Sequence, residues 1–125
     1  MSERNRAILE EANAAIATGD NEGFLAFCTE DTEWTFVGGE TLKGKEAVRR
    51  WMATTYTEPP EFAVDDMIAD GDFVVALGNV TTEGADGKAA SSSYCDVWRF
   101  RGGKIVELRA FVVETEVEDA TGRRA

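Results

Sequence analysis

The stretch Tyr94-Cys95-Asp96-Val97-Trp98-Arg99-Phe100-Arg101-Gly102-Gly103-Lys104-Ile105-Val106-Glu107-Leu108-Arg109-Ala110-Phe111-Val112-Val113 reads as two strands joined by a tight Gly-Gly turn. Successive side chains of a strand point to opposite faces of the sheet. Tyr94, Asp96, Trp98 and Phe100 therefore share one side of the first strand, and Cys95, Val97, Arg99 and Arg101 share the other. In the second strand Val106, Leu108, Ala110 and Val112 are uniformly apolar, whereas Ile105, Glu107, Arg109, Phe111 and Val113 are mixed. The aromatic set and the all-apolar set are expected to line the interior together. That leaves a single carboxyl, Asp96, among three aromatic side chains.

Working outward, Asp70-Gly71 and Asp86-Gly87 repeat the hairpin signal of Gly102-Gly103. The three turns predict four strands, at about 62–69, 72–83, 88–101 and 104–116, in an antiparallel meander. Strands this long bend or twist rather than stay flat. Toward the N-terminus Ser2 can cap a first helix with Ile8, Ala12, Ala15 and Ile16 on one face. Gly19 is placed to end it, and Asp20 to cap a second short helix carrying Phe24, Leu25, Phe27 and Cys28. Glu33-Trp34-Thr35-Phe36-Val37 alternates like a strand and Gly38-Gly39 ends it. Gly44 opens a third helix, Lys45 to about Thr55, with Val48, Trp51 and Met52 facing inward, and Pro59-Pro60 breaks the chain beyond it. Helices first and a long curved sheet afterwards predict an α+β domain. Its form is a cone-shaped barrel, with three N-terminal helices packed on the concave face of a strongly curved, mostly antiparallel sheet. Residues 1–117 are expected to form this one domain, and 118–125 a polar tail that frays.

The 125 residues are 43% apolar and 10% aromatic, enough for a real core. With 24 acidic against 13 basic side chains the net charge is −11. That excludes sequence-independent nucleic-acid binding and docking on anionic lipid, both of which need a basic face. There is no histidine, so no Ser-His-Asp triad, Cys-His pair or HExxH zinc site can form. Cys28 and Cys95 are expected to be reduced thiols. No apolar segment follows Met1, and the longest apolar run, Phe73 to Leu77, is too short to span a bilayer, so a cytoplasmic protein is expected. Asp65-Asp66 and Asp70-Gly71-Asp72 are explained by turn chemistry, and no metal is expected. Gly84-Ala85-Asp86-Gly87-Lys88 lacks the spacing of a phosphate loop, and no cofactor is implied.

The position of Asp96 carries the most chemistry. Burial disfavours the charged form of a carboxyl and raises its pKa. A neutral acid in an apolar cavity can donate a hydrogen bond to a carbonyl oxygen as charge develops there. Two structural alternatives stand beside this. Asp96 can face outward and pair with Arg99 or Arg109, or stay inside, satisfied by a tyrosine hydroxyl or a tryptophan N–H. Trp34, Phe36 and Tyr56, with Tyr94, Trp98, Leu108 and Val112, are the expected walls of a pocket around it. On the opposite face Val97, Phe111 and Val113 are too apolar for a simply solvated surface, and with Arg99 they predict a sheet-to-sheet homodimer.

Over residues 5–115 the chain resembles the SnoaL-like members of the nuclear transport factor two superfamily, which includes ketosteroid isomerase. The likeness rests on the order of elements, on Thr18-Gly19-Asp20 between the first two helices, on Thr41-Leu42-Lys43-Gly44-Lys45-Glu46-Ala47-Val48 before and within the third, and above all on the closing hairpin. It implies that Asp96 matches the aspartic acid that ketosteroid isomerase keeps protonated in its oxyanion hole. The same likeness puts that enzyme's general base near Thr35 and its oxyanion-hole tyrosine near Ala12, or Asn13 if the register slips. Neither residue type is present. The carboxylate that limonene epoxide hydrolases carry in the last strand would fall near Ala110 and is absent too. A steroid isomerase or an epoxide hydrolase is therefore not expected.

The expected function is that of a small-molecule pocket protein. It would be an isomerase, cyclase or dehydratase acting on a small apolar carbonyl compound, with Asp96 as acid or hydrogen-bond donor. The rival readings are a module that binds a small hydrophobic ligand without turnover, and a dimeric adaptor working through its outer sheet.

Overall fold

Asp20 caps as its side chain predicts: Oδ1 accepts from the Gly23 amide at 2.9 Å, and Gly19 before it takes a φ of 81° where the first helix ends. The computed structural model describes residues 2–55, 61–83 and 89–114. Within them run α1 (Ser2–Ala17), α2 (Asn21–Leu25), β1 (Cys28–Phe36), β2 (Thr41–Lys43), α3 (Lys45–Thr55), β3 (Glu61–Asp70), β4 (Phe73–Glu83), β5 (Ala89–Arg101) and β6 (Lys104–Glu114). The tail expected from 118 and the Asp86-Gly87 turn lie outside the described residues.

One open sheet holds all six strands in the order β2-β1-β6-β5-β4-β3. The predicted meander of β3 to β6 is present, and β1 joins it by parallel pairing to β6. Breaks in register between Cys28 and Glu33, Val64 and Asp66, and Arg99 and Phe100 bend the strands, which curves the sheet into a cone. The helices close the concave side. Leu9, Ala12 and Ile16 of α1, Phe24 and Leu25 of α2, and Val48 and Met52 of α3 are buried there against Val74, Trp98, Phe100 and Leu108. At the β5–β6 turn Gly102 and Gly103 both have positive φ, 61° and 81°, as a two-residue hairpin turn matched to the sheet twist demands.

Three expectations are corrected. Cys28 lies in β1 rather than on the second helix, because Leu25 ends that helix after little more than a turn and Thr29 and Thr32 favour a strand. Thr41 to Lys43, read only as the approach to a helix, pairs with Glu33 to Thr35 as the edge strand β2. Ile105, placed on the mixed outer face by simple alternation, is fully buried. The register break beside Phe100 brings it inward, opposite that ring. Among the described residues no helix is long and apolar enough to cross a membrane.

Candidate functional site

Strand pairing arranges the inner face of the sheet in rungs. In the deepest of these, Trp34 of β1 pairs with Leu108 of β6, Leu108 with Trp98 of β5, and Trp98 with Val74 of β4. Phe24 sits against this rung, its ring centroid 5.6 Å from Trp34 and 6.1 Å from Trp98, both edge-on. The next rung is Phe36, Ala110, Asp96 and Ala76. The third holds Val112, Tyr94 and Gly78. Two small alanines thus flank Asp96 on its own rung, and the space they leave is not filled from above. A cavity of about 240 Å³ opens here, closed on the helix side by Asn13 and Ile16 of α1 and by Trp51 and Thr55 of α3.

All the described wall residues expected from sequence come together around it: Trp34, Phe36, Tyr94, Asp96, Trp98, Leu108 and Val112. Tyr56 lies outside the described residues. The walls not expected come from β3 and β4, namely Phe62, Ala76 and Val80, and from the helices. Alternation through Val74, Ala76, Gly78 and Val80 held the signal for β4. For Asn13 the signal was its place between Ala12 and Ile16 on the apolar stripe of α1. Asn13 also borders a second, more polar hollow that Arg6, Glu10 and residues 64–67 line.

Asp96 faces inward, so its pairing with arginine does not occur. Arg99 instead pairs with Glu107 on the outer face, Nε to Oε1 at 3.0 Å. Nor is Asp96 satisfied from within. Its Oδ1 is shut off from solvent and has no hydrogen-bond partner among the described residues. Burial pushes the carboxyl up from its ordinary 3.8 to about 7. Tyr94, one rung away, is engaged elsewhere: its Oη donates to the Ala63 carbonyl at 3.1 Å. Burial first, then the negative charge of Asp96 and of Asp65, raises the Tyr94 phenol to about 12, so it stays protonated.

Thr35, where the resemblance puts a general base, points away from the cavity. It pairs with Arg109, and its hydroxyl lies 3.2 Å from that of Thr41. Ala12 is buried in the core and offers no donor. Cys28 is buried, and burial raises its thiol to about 12, which makes it a poor nucleophile. Asn13, the alternative position for the oxyanion-hole tyrosine, does line the cavity and carries an amide, so the chemistry available there is one carboxyl poised near neutrality, the Asn13 amide, the Thr55 and Tyr94 hydroxyls and three indole rings in an otherwise apolar enclosure.

A family model described as a SnoaL-like domain matches residues 9–108. A protein of unknown function from Burkholderia pseudomallei K96243, described as NTF2-like, is 28% identical. It superposes with a TM-score of 0.77 over 88% of this chain and 90% of its own. A putative SnoaL-like polyketide cyclase from Jannaschia sp. CCS1 is 15% identical with a TM-score of 0.79, over 89% of this chain and 86% of its own. Bal32a, from a soil-derived mobile gene cassette, is 21% identical with a TM-score of 0.80, over 89% of this chain and 90% of its own. No curated protein shows a significant match.

Proposed function

The chain belongs to the SnoaL-like family, and from that premise we propose that it is an isomerase, cyclase or dehydratase acting on a small apolar carbonyl compound, with Asp96 as the pocket acid. One observation carries this reading: a largely buried carboxyl, raised to about 7, whose Oδ1 has no partner among the described residues and which lines an aromatic cavity. Near neutral pH such a group is present in both protonation states. It can donate a hydrogen bond or a proton to a carbonyl oxygen, and it can also take a proton from a neighbouring carbon. No other carboxyl lines the cavity among the described residues, so a two-carboxylate shuttle has no second member among them. Asp96 can then carry the proton both ways, or share the task with a water or the substrate, which suits a reaction that removes a proton and returns it nearby. The structural likeness to a putative polyketide cyclase supports the small-molecule class.

The test is binding of phenols and naphthols of graded acidity, compared across pH in wild type, Asp96→Asn and Asp96→Leu. The expected result is tight binding of the phenolate by wild type below pH 7, weakened about tenfold or more in Asp96→Leu. Absence of binding by all three proteins would overturn the pocket-acid reading. With an enolisable ketone as substrate, an enzyme loses turnover in Asp96→Asn and keeps affinity within a few fold. A module that only binds has no turnover to lose.

A further inference from the structure

Asp96 has no counter-ion among the described residues. Burial is the cause of its raised pKa, with no charged group of the chain contributing. The chain has no histidine, and neither lysine nor arginine lines the cavity among the described residues. Of the side chains that α1, α3, β1, β3, β4 and β6 bring to the cavity, none titrates. β5 adds only Tyr94, whose phenol stays protonated up to about 12. A buried charge is normally paired with an opposite one, because it loses its hydration on burial. Of the two carboxyl oxygens only Oδ1 is shut off without a partner, which leaves Oδ2 to meet a guest in the cavity.

The walls around the carboxyl suit a weakly hydrated cation. Phe36, Trp51, Phe62 and Tyr94 all line the cavity and are half-buried, so each keeps part of its surface uncovered. Aromatic rings attract an alkylammonium ion through the negative potential of their faces. Beyond Asn13, which borders both spaces, the second hollow brings Glu10, Asp65 and Asp66 against a single Arg6. With a net charge of −11 the chain as a whole attracts cations and repels anions. The size is also limiting. Benzene fills an apolar cavity of roughly 150 Å³, so a space of about 240 Å³ suits one ring with a small ammonium group on a short arm.

We propose that the cavity binds a compact organic amine in its ammonium form, the N–H donating to the Asp96 carboxylate at Oδ2 and the alkyl groups and ring held among Phe36, Trp51, Phe62 and Tyr94. Such a site goes beyond the pocket-acid reading and shares with it only the cavity and the inward carboxyl. Neutral Asp96 meets an oxygen, whereas ionised Asp96 meets a cation through a charge-assisted hydrogen bond. The two kinds of guest therefore have opposite pH dependence. An opposite charge favours the ionised carboxyl, so ammonium binding strengthens as pH rises through about 7 and levels off above it.

The probes are N,N-dimethylbenzylamine, an ammonium ion from pH 5 to pH 8, and isobutylbenzene, which has the same shape without the charge. Isothermal titration compares wild type with Asp96→Asn. Wild type should bind the amine at least tenfold more tightly at pH 8 than at pH 5. At pH 8 Asp96→Asn should bind it at least tenfold more weakly than wild type does. The affinity for isobutylbenzene should change by less than about threefold with either. In carbon-13 spectra of wild type, saturating amine should lower the titration midpoint of the Asp96 carboxyl by about one pH unit or more, the reciprocal of that tenfold preference. Isobutylbenzene should not lower it. Amine binding that ignores both pH and position 96, or no amine binding at all, would overturn the proposal. If the phenol series still depends on Asp96 in that case, the pocket-acid reading stands and only the ammonium site fails. If the amine behaves as expected and no phenol binds, the ammonium site stands and the pocket-acid reading falls.

Discussion

Tyr94 lies across Gly78 of the neighbouring strand, and only a residue without a side chain can occupy position 78. A Cβ built there would come 2.0 Å from the Ala63 carbonyl oxygen and 2.7 Å from Tyr94 Oη. The glycine leaves a slot through which the phenol reaches β3 and donates to Ala63 at 3.1 Å. Its ring is thereby held at the cavity wall. Gly78→Ala should force both the β3 backbone and the Tyr94 ring to move, at a cost of about 2–3 kcal/mol. Urea unfolding measures the loss. Tyr94→Phe, which removes only the hydroxyl, should cost about 1 kcal/mol. A Gly78→Ala protein as stable as wild type would show that the slot is not needed.

Asp96 makes stability depend on pH in the direction opposite to most carboxylates. Its pKa is about 7 in the folded chain against an ordinary 3.8, so between these values the folded state keeps a proton that the unfolded state has lost. Stability then falls as pH rises through this window and levels off above it. Complete burial would make the loss on the order of 4 kcal/mol at roughly 1.4 per unit, and water entering the cavity reduces it. Asp96→Asn keeps the shape and removes the titration. The difference in unfolding free energy between variant and wild type should therefore grow in the variant's favour by about 2–4 kcal/mol from pH 4 to pH 8. A flat difference would mean that Asp96 titrates as an ordinary surface carboxyl.

The outer face of the sheet leads to a separate expectation. Ile68, Phe111 and Val113 are 57%, 41% and 64% exposed, and Val97 pairs with Val75 among them. Arg99 is already neutralised by Glu107 on that face. An apolar surface of this kind suits a second copy of the same sheet, with two-fold symmetry matching each patch to itself. Sedimentation equilibrium should find a dimer for wild type, and Phe111→Glu should weaken it at least tenfold while leaving the fold intact. A monomeric wild type would remove the dimer from consideration and leave the cavity unaffected.

How much of this could be read from residues alone follows from which features are local. The faces of β5 and β6 were legible because a Gly-Gly turn fixes register and alternation then carries it for many residues. Asp96, Trp98, Leu108 and Val112 all follow from those two facts. Ile105 was misplaced because the break beside Phe100 shifts the phase by one residue, and nothing in Arg99-Phe100-Arg101 announces it. Cys28 was misplaced because Phe24 to Cys28 is too short to tell a helical period from a strand's. Trp34 and Phe36 were expected at the pocket wall from their aromatic character, but alternation within β1 alone does not say which face turns inward. That depends on the parallel pairing of β1 with β6, a contact between residues more than seventy positions apart. The same holds for Thr55, which reaches the cavity only through the way α3 lies across the sheet.

The two alanines beside Asp96 give the most direct test of whether the empty space itself matters. Ala110 and Ala76 pair with Asp96 from either side, are 5% and 2% exposed, and border the cavity rather than fill it. A leucine at position 110 would extend into that space, towards Trp34, Phe36 and Trp51. Filling a void adds contacts and overpacking costs them, so the net change in stability should stay within about 2 kcal/mol. Ligand binding should respond quite differently. Loss of several methyl-sized volumes from about 240 Å³ leaves too little room for a two-ring body. Ala110→Leu should therefore lower the affinity for 2-naphthol at least tenfold in isothermal titration while sedimentation shows the outer-face assembly unchanged. Undiminished naphthol binding by a folded Ala110→Leu protein would place the ligand outside this cavity. An adaptor working through its outer sheet would be indifferent to position 110 in every assay and sensitive to position 111 alone, so the pair Ala110→Leu and Phe111→Glu separates the two kinds of protein by adjacent residues on opposite faces of one strand.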